Sequence, residues 1–206
     1  MARPLEIVGS WADITQRKLA ESFQTLYQAS FKIHEPLGLK KWFDGFLRTA
    51  RAEYHTEMGK LILEHEGTLE RFTGDGIMIF LNDPVVVPNP TERAVRMAVA
   101  MRDRVNGMSI GWRKHGYDLS LGIGIAQGYA TIGAIGFEGR VDYGAVGTVT
   151  NLAARLCGEA QGGQILTNQK TLSEVEHLVD AEPIGELHLK GFAKPISAYS
   201  VAAIRH

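Results

Sequence analysis

Three polar side chains in this sequence, Asp75, Asn151 and Arg155, have types and spacings that suit phosphate chemistry. Asp75 stands between Gly74 and Gly76, with strand-forming residues on both sides. Asn151 and Arg155 are four residues apart in a segment that predicts a helix, so the amide and the guanidinium share one face. A carboxylate binds hard divalent cations, and a guanidinium donates hydrogen bonds to phosphate oxygens. Plainer interpretations exist, because a Gly-Asp-Gly tip most often forms only a turn and a polar helix face is usually solvated.

Hydrophobic periodicity predicts interleaved helices and strands around these residues. Helical patterns cover residues 16–32, 40–66, 91–105, 147–160 and 169–178. Strand patterns cover residues 68–73, 77–81, 163–168, 186–191 and 195–204, and residues 119–136 form two more strands. Such interleaving is typical of α/β or α+β domains rather than of a bundle or a sandwich. Within the helix that begins near Thr148, a core stripe is expected opposite Asn151 and Arg155, formed by Val149, Leu152, Ala153 and Leu156.

A glycine-rich segment, residues 122–136, precedes this helix. It matches neither the P-loop pattern nor a G-x-G-x-x-G that opens a helix. We therefore interpret its glycines as positions that permit close packing and bends of the strands.

Composition restricts the class of protein. The chain has 206 residues, of which 45% are hydrophobic, as expected of one globular domain with a sizeable core. Its 22 basic and 23 acidic side chains indicate no electrostatic surface for nucleic acid or an anionic membrane. The single cysteine, Cys157, predicts a small buried residue in a reducing compartment. Without a signal peptide pattern or an apolar stretch long enough to span a membrane, a cytoplasmic protein is expected.

Several separated motifs together resemble the class III adenylate/guanylate cyclase catalytic domain. They are FTGDGIMIF, then LSLGIGIAQGYATIGAIGFEGRVDYGAVGTVTNLAARL, and finally ELHLKGFAKPISAYSV. The resemblance runs from about Glu53 to Ile204 and favours a division into residues 1–52, a strand and helical linker, and residues 53–206, the catalytic domain. It implies a ferredoxin-like α+β fold that forms a homodimer with active sites between the chains.

The resemblance also implies a role for each candidate residue. Asp75 would bind a catalytic Mg²⁺ or Mn²⁺ ion, Asn151 would orient the ribose, Arg155 would stabilise the transition state, and Lys190 would bind the triphosphate. Taken alone, Lys190 is equally consistent with a solvated lysine at the end of a strand. Three further residues of the hairpin would border the substrate: Phe72, Thr73 and Gly74.

The chain departs from the family at its first strand, which should end in a second metal-binding aspartate followed by Gly-Phe-Thr. No such strand directly precedes the helix that contains Glu53, so the fold is expected to lack or replace it. Residues 5–21 resemble the end of a PAS domain, and residues 26–50 resemble the opening helices of a GAF domain. Asp13, in GSWADIT, is a candidate for the missing metal ligand, although the residues that follow it are Gln16, Arg17 and Lys18.

A second departure concerns recognition of the purine base. Arg71 stands where the resembling adenylate cyclases have lysine and guanylate cyclases have glutamate, and Gly144 stands where a threonine, aspartate or cysteine is usual. A guanidinium donates hydrogen bonds but accepts none, so Arg71 suits both adenine N1 and guanine O6. We expect ATP rather than GTP as the substrate.

Three hypotheses follow. The first is a cyclase that makes a 3′,5′-cyclic nucleotide for intracellular signalling. The second is a truncated, inactive module that keeps the fold and dimerises or binds nucleotide without turnover. The third is a ferredoxin-like domain that binds a small molecule or nucleic acid, which leaves the combination of Asp75, Asn151 and Arg155 unexplained.

Overall fold

The computed structural model describes residues 24–33, 45–73, 76–137 and 140–205 as alternating strands and helices. The helices within this part of the chain are α1 (Gly45–Glu64), α2 (Pro90–Arg113), α3 (Thr148–Glu159) and α4 (Gln169–Val175). The strands are β1 (Gln24–Ile33), β2 (Thr68–Thr73), β3 (Gly76–Phe80), β4 (Leu119–Gly128), β5 (Thr131–Phe137), β6 (Arg140–Val146), β7 (Ile165–Asn168), β8 (Val179–Leu187) and β9 (Ile196–Ile204).

Seven of these strands form one mixed sheet in the order β2-β3-β1-β4-β7-β9-β8, and β5 and β6 form a separate hairpin. β1 lies inside the sheet and runs antiparallel to both neighbours, with Leu26 paired to Phe80 of β3 and to Ala126 of β4. β7 joins β4 in parallel, with Ile123 opposite Ile165. The α+β class predicted from the sequence is confirmed.

The sheet carries helices on both faces because side chains alternate along each strand. On one face, Ile77 and Ile79 of β3 belong to a core cluster with Tyr54 of α1 and Met101 of α2. On the other face, Phe80 belongs to a second cluster with residues of α3. No helix in the described part of the chain has both the length and the apolar character needed to cross a membrane.

Helix α3 lies directly on glycines of β4. A Cβ atom added to Gly124 would stand 2.3 Å from the carbonyl oxygen of Ala153 and 2.3 Å from the amide nitrogen of Cys157. One added to Gly128 would stand 3.1 Å from Cβ of Val149, and one added to Gly122 would stand 3.0 Å from the carbonyl oxygen of Ala160. These alternate residues share one face of the strand, so they form a shallow track for the helix. Close packing at these glycines was predicted from the sequence, but α3 as the packing partner was not.

Strand β1 corrects the prediction of a helix over residues 16–32, which is wrong for residues 24–32. Apolar residues alternate with polar ones along most of its sequence, at Tyr27, Ala29, Phe31 and Ile33. This period of two indicates a strand. The GAF interpretation of residues 26–50 required helices here and is wrong for residues 26–33.

The remaining predictions concern the PAS-like segment, the division at residue 52 and the strands β6 and β8. The PAS-like segment, residues 5–21, lies outside the described residues, as does Asp13. The division at residue 52 stays a prediction, although α1 runs continuously from Gly45 to Glu64. The sequence analysis did not identify β6, and it placed the strand near Lys190 too late, because β8 ends at Leu187.

We predict that Gly124→Ala destabilises the protein, because its methyl group would overlap backbone atoms of α3 that no rotamer change can move. The helix must shift, which costs on the order of 1–3 kcal/mol of unfolding free energy. Urea unfolding followed by circular dichroism measures the change. Gly107→Ala in α2 is the matched control, since its Cβ would meet nothing within 4 Å and is expected to leave stability equal or slightly higher. Equal unfolding midpoints for Gly124→Ala and the unmutated chain would contradict the prediction.

Candidate functional site

Helix α3 presents Asn151 and Arg155 to solvent. Its opposite face is buried, including Leu152 and Leu156, so the polar pair points away from the sheet as predicted. Among the described residues, neither Asn151 nor Arg155 has a side-chain hydrogen bond or an ion pair. An amide and a guanidinium on one face are therefore available to a ligand.

The start of α3 is also fixed by a close backbone contact. A Cβ atom on Gly147 would stand 2.9 Å from the carbonyl oxygen of Tyr129, so only glycine fits where the chain passes the end of β4. The amide of Thr150 donates to the carbonyl of Gly147 over 3.2 Å. These contacts fix the first turn of the helix, and Asn151 follows it directly.

Lys190 lies in a tight turn after β8. Gly191 has φ of +93°, and the amide of Phe192 donates to the carbonyl of Leu189 over 3.1 Å. Leu189 is 4% exposed and belongs to the same cluster as Leu152 and Leu156 of α3, whereas Lys190 is exposed. The turn with Lys190 and the helix with Arg155 are thus held by the same apolar cluster.

A third group of residues lies where β2 meets β6. The register of β2 against β3 shifts between Leu69 and Arg71, so Glu70 is an extra residue that forms a bulge. Its Oε1 accepts hydrogen bonds from Arg71, from Nε at 3.2 Å and from Nη2. The same oxygen would stand 3.1 Å from a Cβ atom on Gly144. Arg71 and Gly144, the two predicted base-recognising positions, are therefore brought together through Glu70.

A hydrogen bond holds β6 in this place. The hydroxyl of Tyr143 donates to Oδ1 of Asp83, a residue that is 7% exposed in the loop after β3. Burial, and then the neighbouring Asp83 carboxylate, raise the pKa of Tyr143, so the phenol keeps its proton in ordinary buffers. Gly144 follows Tyr143 directly, so this bond also sets the position of Gly144 beside Glu70.

Phe72 is 45% exposed next to Arg71, and its ring lies 4.2 Å, centroid to centroid, from the ring of His55 on α1. Burial, followed by the charge of Arg51, lowers the pKa of His55, so the neutral imidazole is favoured beside Phe72. The contact holds one face of Phe72 against α1.

The β2–β3 hairpin predicted from the sequence is confirmed by its strands. Thr73 pairs with Gly76, so Gly74 and Asp75 connect the two strands, and both lie outside the described residues. β1 runs beside this hairpin, with Ser30 opposite Gly76. The first residue of β3 therefore lies beside the part of β1 that ends at Ile33.

Among the described residues around the hairpin, no second metal-binding carboxylate is found. The family's second metal aspartate would be expected on the strand beside β3, but β1 has the sequence QTLYQASFKI and contains neither aspartate nor glutamate. Within the described ranges no three histidine, cysteine, aspartate or glutamate side chains cluster as metal ligands. Strand β1 itself therefore supplies no carboxylate for Mg²⁺ or Mn²⁺.

Glu70 was not predicted as a site residue. In a regular strand, adjacent residues point to opposite faces, so a glutamate next to Arg71 is expected to face away from it. Only the bulge brings both side chains to one side, and no glycine or proline marks that bulge in the sequence.

Comparison with known proteins identifies the family to which this fold and these motifs belong. A family model described as the adenylate and guanylate cyclase catalytic domain matches residues 47–203. Adenylate cyclase 1 of Rhizobium meliloti (strain 1021) is 28% identical over 156 residues, which cover 74% of this chain and 24% of that protein. The chain therefore spans about a quarter of the length of that relative.

Two solved structures extend the comparison. The adenylyl cyclase CyaB from P. aeruginosa has a TM-score of 0.80 and 30% identity, over 89% of this chain and 95% of that one. The guanylyl cyclase Cya2 has a TM-score of 0.76 and 26% identity, over 89% and 93%. With the matched motifs on the elements described above, the chain belongs to the adenylate and guanylate cyclase catalytic domain family.

Proposed function

We propose that this domain is a nucleotide cyclase that converts ATP, in preference to GTP, to a 3′,5′-cyclic nucleotide and pyrophosphate for intracellular signalling. The observation that carries the proposal is the solvent-facing pair of Asn151 and Arg155 on α3, with Lys190 next to Leu189, which packs in the same apolar cluster as α3. These polar side chains have no side-chain partner among the described residues and are held by a packed core, which suits a charged ligand better than a merely solvated surface.

The reaction is an in-line attack of the ribose 3′-hydroxyl on the α-phosphate, in which the bond to pyrophosphate breaks. Positioning and charge stabilisation account for most of the catalysis of such a transfer. Arg155 would donate hydrogen bonds to the oxygens of the α-phosphate as negative charge shifts toward the leaving group. Asn151 would hydrogen-bond the ribose and orient its hydroxyl, and Lys190 would bind the terminal phosphates.

A homodimer with its sites at the interface is part of the proposal. Large apolar side chains are exposed on the elements that carry or adjoin the base-recognising residues: Phe72 (45%), Tyr129 (58%), Tyr143 (39%) and Val146 (57%). Exposed apolar area of this kind favours association with another protein surface. A second copy of the chain would bring Asp75 of one protomer to Asn151 and Arg155 of the other.

The alternative is a module that binds nucleotide and dimerises without turnover. The absence of a carboxylate from β1, the strand beside the Asp75 hairpin, favours it. Asp75 remains the proposed ligand of Mg²⁺ or Mn²⁺, and Asp13 remains the candidate for its partner.

We predict that Arg155→Ala lowers cyclic nucleotide formation by at least about hundredfold, because a charged donor to the transition state is lost. The assay uses ATP and GTP with Mn²⁺ at high protein concentration. Arg113→Ala is the matched control, since Arg113 is exposed at the end of α2 and pairs with Asp118 at 3.5 Å. If the unmutated chain forms no cyclic nucleotide from either triphosphate, the cyclase proposal is wrong and the binding module is favoured.

We predict that a mixture of Asp75→Ala chains and Arg155→Ala chains regains activity that neither has alone. A mixed dimer combines one interface site with both defects and one site with neither, because the two residues would come from different protomers. The same assay on each variant and on the mixture measures this. Failure of the mixture, when each variant still dimerises by light scattering, would place both residues in a site of one chain.

We predict that Asp13→Asn reduces activity as much as Asp75→Asn if Asp13 completes the metal site. The amide removes the negative charge that a hard cation needs while it keeps the size of the side chain. The Mn²⁺ concentration dependence of cyclase activity measures the loss. An Asp13→Asn chain with unchanged activity would remove Asp13 from the site.

A further inference from the structure

Glu70 is a buried acidic side chain whose hydrogen-bonding capacity is only half used. Its side chain is 3% exposed, and its recorded hydrogen bonds, from Nε and Nη2 of Arg71, both end on Oε1. Two donors fill the two lone pairs of that oxygen. Oε2 accepts no hydrogen bond from the residues that the structure describes. A carboxylate oxygen without a donor, on a side chain that is itself largely buried, gains stability from a donor supplied by a ligand.

Glu70 also occupies the space that a side chain at position 144 would take. A Cβ atom on Gly144 would stand 3.1 Å from Oε1 of Glu70 and 3.5 Å from Cδ1 of Ile135. Gly144 is itself buried in β6. The missing side chain at this position is thus replaced by a carboxylate that reaches across from β2.

Arg71 and Glu70 form a pair in which the guanidinium donates hydrogen bonds and the carboxylate accepts them. Its side chain is 62% exposed, and Nη1 donates to none of the residues that the structure describes. The pair therefore offers one acceptor, Oε2 of Glu70, beside donors from the guanidinium.

The two purines require different patterns. The Watson–Crick edge of adenine has one acceptor, N1, and one donor group, the 6-amino group. That of guanine has one acceptor, O6, and two donor groups, N1–H and the 2-amino group, which suit a carboxylate with both oxygens free. Because both lone pairs of Oε1 are taken by Arg71, Glu70 has one free oxygen and can accept from one donor group of the base. Adenine has one such group, so the pair satisfies it fully, whereas one of the two donor groups of guanine would stay without a partner.

We infer that Glu70 is a specificity-determining residue that accepts a hydrogen bond from the adenine 6-amino group through Oε2, while Arg71 donates to adenine N1. This assignment rests on the proposed function, because it requires a nucleotide base at the junction of β2 and β6. It gives the site a preference for ATP over GTP that does not depend on a side chain at position 144.

The test is the binding ratio of two unreactive nucleotides, α,β-methylene-ATP and α,β-methylene-GTP, measured by isothermal titration calorimetry on the full chain. In Glu70→Gln the amide oxygen must face Arg71, which only donates, so the amide NH₂ faces the base. The NH₂ group cannot hydrogen-bond the adenine amino group, because both are donors, but it can donate to guanine O6. We expect the unmutated chain to prefer the ATP analogue and Glu70→Gln to reduce that preference by at least about tenfold.

Glu92→Gln is the matched control. Glu92 also pairs with an arginine, Arg96, at 2.9 Å, but it lies in the first turn of α2. The Glu92→Gln chain is expected to prefer the ATP analogue over the GTP analogue as strongly as the unmutated chain does. A folded Glu70→Gln chain with an unchanged ratio, or an unmutated chain that prefers the GTP analogue, would overturn the inference.

Gly144→Ala provides a second, independent variant, judged by the same ratio after thermal denaturation confirms folding. Its methyl group would press on Oε1, so the carboxylate must shift, and we expect a weaker preference for the ATP analogue. If Glu70→Gln does not fold, an unchanged ratio in Gly144→Ala overturns the inference. Binding of the ATP analogue without any turnover of ATP would refute the cyclase proposal alone, whereas binding of neither analogue would refute both.

Discussion

The backbone of α3 touches the backbone of β4 with no side chain between them, and the position of the candidate site depends on that contact. At Gly124 the distances leave no room for even a methyl group, and the Sγ of Cys157 donates to the carbonyl of Gly122 over 3.4 Å. A helix held at this distance has little freedom to roll or slide, because protein interiors are close-packed and resist small displacements. Asn151 and Arg155 lie on the outer face of the same helix, so their direction is set by glycines on the strand beneath.

Strand β1 completes the sheet but supplies no carboxylate for catalysis. It lies between β3 and β4 and supplies both neighbours with a complete antiparallel ladder, from Leu26 to Ser30 on one side and from Gln24 to Ile33 on the other. The sheet therefore needs nothing further at its centre. A fold can be complete while the chemistry attached to it is altered, which is why similarity to cyclases establishes the family but not turnover.

Much of the site could be predicted from the sequence because it depends on local patterns. The period of α3 placed Asn151 and Arg155 on its outer face, and the alternation around Gly76 predicted the hairpin. β1 was missed because its alternating apolar residues were interpreted as part of a longer helical pattern, and β6 because its glycine interrupts an otherwise strand-like segment. The junction of Glu70, Arg71 and Gly144 could not be predicted, since it arises from a bulge and from contact between strands 74 residues apart in the chain, from Glu70 to Gly144.

The bulge in β2 has a consequence for how such a domain changes over evolutionary time. Leu69 pairs with Ile79 and Arg71 pairs with Met78, so Glu70 is the one residue of this ladder without a partner of its own. Loss of its codon would leave every other pair between β2 and β3 in place. Gain or loss of a single residue can therefore alter what β2 presents to a ligand while the rest of the sheet keeps its register.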